Sequence, residues 1–377
     1  MLNIAVSQYV YEVSKSPYYL AYVGMTLFLP KFLLSPITGF VADHFERRRI
    51  ILLCRVLRAF VALGLMLSVL GQSSLLWVYL LLLFQGVAHA FDGPATQAYV
   101  PQLVPREDFA NVATWNSFFF QVGAVLGPVT GGWIYGLLGP AKVFAAILLC
   151  SFAAFALVWR IDVQSQPHNE GKLSLSGVFA GLHYVRQQPV LLGALSLDLF
   201  AVLFGGVVAL LPIYANEIYN VGASGLGFLR AAPGFGAMLV GFFLAQIPKK
   251  FQNGRVMMTC VALFGVCTIA FALSKTFWLA LFFLVLLGAC DMVSVVIRSI
   301  MVQLETPDAL RGRVSAVNMI FIGASNELGE FESGITAGWF GVVPAAVLGG
   351  CLTLLVTGVW KKIFPTLWDY QHSESTK

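Results

Sequence analysis

The chain has 377 residues, of which 58% are hydrophobic and 11% are charged, with a net charge of +5 and a mean hydropathy of +0.82. One soluble core cannot bury that much apolar surface, so the composition excludes an ordinary soluble domain and predicts an all-α membrane protein. The net positive charge does not indicate nucleic-acid binding, because no basic stripe with interleaved aromatic residues lies outside the apolar runs.

Apolar runs long enough for membrane-spanning helices recur along the whole chain, since each span needs about 20 residues to cross about 30 Å of hydrocarbon. About twelve spans are predicted, at 1–13, 17–42, 50–70, 75–98, 114–138, 141–159, 190–213, 222–247, 256–273, 277–300, 316–339 and 343–360. Alternating the loops between the two sides places 17 Lys and Arg residues on one side and 3 on the other. By the positive-inside rule the first side is cytoplasmic, and so is the C-terminus.

The turn between the second and third predicted spans, GFVADHFERRRII, carries five formal charges in the seven residues from Asp43 to Arg49. Part of this charge serves as a topology anchor. The spacing also favours a latch, because Gly39 permits close helix approach and Asp43 can face the positive end of a neighbouring helix. Arg47 and Arg48 can bridge acids or lipid phosphates.

The fifth predicted span contains GAVLGPVTGG, in which Gly123, Gly127, Gly131 and Gly132 surround Pro128. Glycines four residues apart open a smooth face for a partner helix, and a proline removes a backbone hydrogen bond and bends the span. The pattern predicts a hinge, with ordinary small-residue packing as the alternative.

The interval 161–188 is the longest polar stretch and is predicted to contain a short interfacial helix, with Leu175, Phe179 and Leu182 on one face. A gapless shift of 202 positions aligns the two halves, for instance Asn116 with Asn318. We therefore divide the chain into a first bundle (1–160), a linker (161–188), a second bundle (189–362) and a cytoplasmic tail (363–377). The same register places the start of the first helix about twelve residues before Met1, so we expect that helix to lack roughly its first half.

Ionisable residues within spans are costly and are treated as functional by default. The candidates for coupling or substrate contact are Lys31, Asp198, Arg230, Asp291, Glu327 and Glu330. Counting from the cytoplasmic ends puts Lys31 at a depth of about 18 Å and Glu327 at about 17 Å. Asp92 and Arg298 fall nearer the cytoplasm and are predicted to be interface charges; satisfied structural carboxylates remain the alternative for Asp198 and Asp291.

The loop motif, the fifth-helix motif and the repeat together resemble the major facilitator superfamily. Gly39, Asp43, Arg47 and Arg48 match four positions of its G-x-x-x-D-[RK]-x-G-[RK]-[RK] pattern, from which the chain departs at His44 and Glu46. The sequence of the chain is similar to the exporter branch that contains the enterobactin and macrolide efflux proteins. The resemblance implies two pseudo-symmetric six-helix bundles, with the Asp43 latch acting on the start of the eleventh helix near Ser315.

The same resemblance implies that the second and eleventh helices abut, so Lys31 is predicted to pair with Glu327 or Glu330. The fourth helix has Leu82 where many proton-coupled members carry a buried arginine, so any coupling must use another group.

The expected function is export of a siderophore-like or drug-like small molecule across the inner membrane by alternating access, with protons as the exchanged ion. The expected partners are this substrate, protons and membrane lipid, and the protein is expected to be a monomer without nucleic acid, cofactor or metal. No catalytic residue is assigned, because no HExxH motif, spaced His/Asp set or P-loop occurs. An importer, a lysophospholipid flippase or a membrane scaffold remain alternatives.

Overall fold

The computed structural model describes residues 1–105, 108–161, 175–244 and 253–371, although the side chains of some of them, including Asp43, lie outside the described set. The α-helices are α1 (Leu2–Ser14), α2 (Pro17–His44), α3 (Arg47–Leu70), α4 (Leu75–Tyr99), α5 (Phe109–Leu138), α6 (Pro140–Trp159), α7 (Leu175–Gln187), α8 (Pro189–Gly205), α9 (Leu211–Ile213), α10 (Gly222–Leu244), α11 (Gly254–Leu273), α12 (Phe277–Leu304), α13 (Asp308–Phe340), α14 (Val342–Ile363) and α15 (Pro365–Trp368). A π-helical turn, Tyr214–Ile218, follows α9. Within the described ranges there is no strand, and nine stretches are long and apolar enough to cross a membrane.

Local sequence signals set several helix ends. The Ser74 hydroxyl accepts a hydrogen bond from the Leu76 amide at the start of α4, and the Asn253 side chain accepts one from Val256 at the start of α11. Gly139 alone connects α5 to α6, and Gly341 alone connects α13 to α14, with φ values of 84° and 88°. Glycine suits both positions because L side chains rarely adopt such backbone angles.

The predicted repeat is confirmed in detail. The two connecting glycines are 202 positions apart, as are the first residues of α4 and α12. A Cβ placed on Gly132 would lie 2.5 Å from the Ala223 carbonyl oxygen, and one placed on Gly334 would lie 2.7 Å from the Ala21 Cβ. Gly132 and Gly334 are equivalent positions of the repeat, and so are Ala223 and Ala21. The two contacts are therefore symmetry-related, and the two halves are related by a pseudo-two-fold axis, as in parallel-repeat transporters.

The helices pack extensively both within each half and between the halves. In the first half α2 and α3 pack on α4, and α3 packs on α6; in the second half α12 packs on α10 and α11, and α11 packs on α14. The two halves meet along α2 and α13 and along α5 and α10. The predicted linker helix is present as α7, which packs on α13 and α8 through the buried Val185. Leu175 and Phe179 have side chains outside the described set.

The segment predicted to be a tail begins by folding back on the second half. Leu367 of α15 is fully buried, and the Gly254 amide donates a hydrogen bond to the Tyr370 carbonyl (3.0 Å). The Tyr370 hydroxyl donates to Glu305 (3.0 Å), and burial together with this bond raises the pKa of Tyr370 to about 12. Residues up to 370 therefore belong to the packed end of the second half.

Candidate functional site between the two halves

Two ends of the helix bundle are distinguished by charge. The basic face is the end at which Arg47, Arg48, Arg160 and Arg255 lie, at the starts of α3 and α11 and the end of α6. The opposite face is the other end, where α2 and α10 begin and α5 and α13 end.

At the opposite face the two halves are in close contact along both interfaces. On the α5–α10 side, a Cβ on Gly136 would lie 2.4 Å from the Ser224 hydroxyl. On the α2–α13 side, a Cβ on Gly338 would lie 2.3 Å from the Tyr18 ring. One buried apolar cluster also joins Tyr11 and other first-half residues to second-half residues. This face is sealed by the close approach of glycines on α5 and α13 to the facing helices.

A polar clasp reinforces the seal where α1 meets the segment after α8; we define it as Gln8, Tyr11, Glu12, Asn216 and Glu217. The amides of Gln8 and Asn216 exchange two hydrogen bonds of 3.0 Å. The Tyr11 hydroxyl donates to Glu217, and Gln8 also donates to Glu12 (2.8 Å). The clasp therefore connects the halves by directional bonds in addition to apolar contact.

Toward the basic face the close packing ends. At the α5–α10 interface a Cβ on Gly234 would lie 3.4 Å from Val125, whereas residues 114–120 of α5, nearer the basic face, are all exposed. Gly39 on α2 has no neighbouring atom within 4 Å. Both interfaces are thus tight at the opposite face and open toward the basic face.

Four charged side chains lie where the two halves meet, at the level at which the close packing ends. We call them the charge quartet: Lys31, Arg230, Glu327 and Glu330. The Lys31 ammonium lies 2.7 Å from Glu327 Oε1, which confirms the predicted pairing of α2 with α13. Glu330 pairs instead with Arg230 of α10, at 3.3 Å. Glu327 and Glu330 are three residues apart and share one face of α13. The quartet is electrically neutral and touches both halves.

The Lys31–Glu327 pair is only partly removed from solvent, since the side chains are 34% and 19% exposed. The second carboxylate oxygen of Glu327 is buried and has no hydrogen-bond partner among the described residues. A proton or a polar ligand group can occupy that free acceptor.

The fifth-helix glycines divide into three environments. Gly132 contacts α10, as predicted for a glycine that faces a partner helix. A Cβ on Gly127 or Gly131 would lie 3.4 or 2.9 Å from Met1, and a Cβ on Gly123 would have no atom within 4 Å. Pro128 lies inside a helix that continues past it, and its carbonyl approaches Gly227 of α10.

The loop-motif arginines bind backbone carbonyls of their own half. Arg47 donates to the carbonyls of Ala42 and Ala98, each at 3.1 Å, and Arg48 donates to the Trp159 carbonyl. These bonds tie the start of α3 to the ends of α2, α4 and α6. The Asp43 side chain lies outside the described set, so its latch with the start of α13 stays a prediction.

The second half contains an internal ion pair that we did not expect. Arg298, predicted to be an interface charge, is 1% exposed and pairs with Asp198 of α8 inside the second half. Asp198 also lines a small pocket with Asp291 and Ser294. Asp92 is likewise internal to its half, where it pairs with Arg58 of α3 at 2.9 Å. Burial in both cases follows from helix–helix contacts that single-span hydropathy does not reveal.

The profile of the family described as transmembrane secretion effectors matches residues 1–375. This chain belongs to that family of major facilitator transporters. The enterobactin exporter EntS of Escherichia coli O1:K1 is 25% identical over 325 residues, which cover 85% of this chain and 77% of the exporter. EntS of Shigella boydii serotype 18 matches over the same shares.

Solved transporters share the fold. A bacterial homologue of the human lysosomal transporter Spinster, in an inward-facing and occupied conformation, superposes with a TM-score of 0.78 at 14% identity and covers 99% of this chain and 94% of its own. A D-xylose–proton symporter superposes with a TM-score of 0.72 at 13% identity, covering 99% and 93%. Importers therefore stand among the structural neighbours, and the all-α major facilitator fold is established.

Proposed function

We propose that this protein exports a small molecule, siderophore-like or drug-like, across the inner membrane by alternating access, in exchange for protons. The basic face is cytoplasmic and the opposite face is periplasmic. The observation that carries this proposal is the contrast between the faces: glycines pack tightly across both interfaces at one end, whereas at the other end Gly39 of α2 meets no atom and residues 114–120 of α5 are exposed. That is the geometry of an inward-facing state waiting for cytoplasmic substrate.

The charge quartet is the candidate coupling element. Glu327 holds Lys31 across the α2–α13 interface, and protonation of Glu327 would remove the charge that attracts the ammonium. Opening the periplasmic side requires α2 and α13 to separate between Ala21 and Gly334. A proton arriving at Glu327 would therefore weaken the tie between the halves at the same interface.

The direction of transport draws its support from the relatives, since EntS is an enterobactin exporter and covers most of this chain. The experiment begins with a deletion strain carrying the wild-type gene, a Glu327→Gln variant or an empty vector. Small molecules secreted by the three strains are compared by mass spectrometry. We expect at least one aromatic or chelating compound to depend on the wild-type gene.

The compound so found is then offered to inside-out vesicles energised by respiration. Export predicts accumulation within these vesicles and loss of accumulation when a protonophore collapses the gradient. Accumulation that survives the protonophore would refute proton exchange, and accumulation only in right-side-out vesicles would establish an importer. The Glu332→Gln variant serves as a matched control, because it makes the same substitution on α13 at a carboxylate that bonds to Thr336 of its own helix.

A further inference from the structure

Two of the described intramembrane carboxylates, Asp291 and Glu332, have no cationic partner. The cations are Lys31, Arg55, Arg58, Arg230 and Arg298, and the carboxylates are Asp92, Asp198, Asp291, Glu327, Glu330 and Glu332. Every cation has a carboxylate partner, and Glu332 accepts a hydrogen bond from Thr336. Among the described residues, Asp291 is the carboxylate in this set with neither an ion pair nor a hydrogen bond.

Asp291 lies midway along α12, inside the second half rather than in the charge quartet. It lines the pocket between α8, α11 and α12 together with Asp198, Ser294 and Phe264. Asp291, Ser294 and Arg298 are spaced by three and four residues and share one face of α12, opposite Asp198 on α8.

Arg298, the cation that acts on Asp291, is already paired with Asp198. Arg298 is 1% exposed and its charge is met by Asp198, although its Nε has no hydrogen-bond acceptor. The titratable and charged groups around Asp291 are Asp198 of α8, Cys260 and Cys267 of α11, and Cys290 and Arg298 of α12, while Arg230 of α10 and Glu330 of α13 pair with each other. An unpaired carboxylate in such surroundings neutralises itself by binding a proton.

We infer that Asp291 is a proton-binding site, in which the carboxyl group holds a proton beside the Asp198–Arg298 pair. The O–H bond forms on a free carboxylate oxygen, and the proton comes from a hydronium ion in water that reaches the pocket, which becomes neutral water. The inference deepens the proposed function, since it names the group that carries the exchanged proton in the second half. Glu327 then acts on the tie between the halves while Asp291 stores the proton.

The test needs no transported substrate. Purified protein in lipid nanodiscs is treated with dicyclohexylcarbodiimide, which reacts with protonated carboxyl groups in apolar surroundings, and the adducts are located by peptide mass spectrometry. We expect an adduct at Asp291 that decreases as the pH rises, and none at the ion-paired Asp198. An adduct at Asp198 with none at Asp291 would overturn the assignment.

A second measurement tests the site if the carbodiimide does not reach Asp291. Infrared difference spectra of the same protein between acid and alkaline pH should contain the C=O stretch of a protonated carboxyl group, and Asp291→Asn should lose it. Glu332→Gln, which alters another intramembrane carboxylate, should retain it. Retention of the band in Asp291→Asn would refute the site, and its loss on adding sodium but not choline would assign sodium instead of a proton.

The outcome separates this inference from the proposed function. If Asp291 is protonated but efflux does not depend on the proton gradient, proton antiport is refuted and the proton-binding site stands. If efflux depends on the proton gradient but Asp291 is ionised, the site is refuted and antiport stands.

Discussion

The tight packing at the opposite face makes Gly132→Ala a sensitive perturbation. The added methyl group would lie 2.5 Å from the Ala223 carbonyl oxygen and 2.8 Å from the Gly227 Cα. Ordinary contact begins near 3.4 Å, so α5 and α10 must separate by about 0.9 Å. Overpacking of this kind costs about 1–3 kcal/mol. The cost falls only on the state in which these helices touch, so the closed-to-open ratio should drop by about 5- to 150-fold.

Hydrogen–deuterium exchange of the protein in nanodiscs measures this shift directly. Peptides from α1 and from the π-helical turn should exchange faster in Gly132→Ala than in wild type, because the polar clasp must part when the face opens. Gly123→Ala, from the same motif but with nothing within 4 Å, should exchange like wild type. Equal exchange in the two variants would refute the reasoning that Gly132 sets the closed state.

Three further outcomes follow from named contacts. Lys31→Ala should lower thermal stability more than the double variant Lys31→Ala/Glu327→Gln, because the single change leaves a carboxylate without its cation. A double-mutant cycle should give a coupling energy of about 0.5–3 kcal/mol. Additive effects would show that the two side chains do not stabilise each other. Asp198→Asn should lower the free energy of unfolding by about 3–5 kcal/mol, because Arg298 stays buried without its partner. The amount of protein in the membrane should therefore fall, and wild-type abundance on immunoblots would argue against the pair. Gly341→Ala should lower the melting temperature by straining the backbone at φ 88°, at a cost of about 1–3 kcal/mol, and an unchanged melting curve would show that the turn relaxes.

Most helix positions followed from hydropathy, because spans must be apolar over a fixed length. The prediction for α4, 75–98, differs from Leu75–Tyr99 by one residue at one end. The prediction for α13, 316–339, missed one residue at the end and eight at the start, because Asp308–Phe340 begins with polar turns that contain Arg311 and Arg313. A hydropathy scale does not detect the part of a helix that extends beyond the hydrocarbon of the membrane.

The pairing of charges was predictable only where the repeat and the family fix which helices touch. Depth and the α2–α13 contact sufficed for Lys31 and Glu327. The Asp198–Arg298 pair had no such guide, because its members belong to one half and the 202-residue shift places Thr96 opposite Arg298. The clasp between α1 and the π-helical turn was missed for a related reason, since an irregular turn has no periodic pattern.

The returning C-terminal segment bears on how the protein is best engineered. Lys361 lies 3.9 Å from the Trp368 ring, and Leu367 packs in the cluster that contains Met257 and Met301. A fluorescent reporter or purification tag attached beyond residue 371 leaves these contacts in place. Cutting the gene after Ile363 would expose the apolar site that Leu367 fills, and we expect such a product to aggregate in detergent.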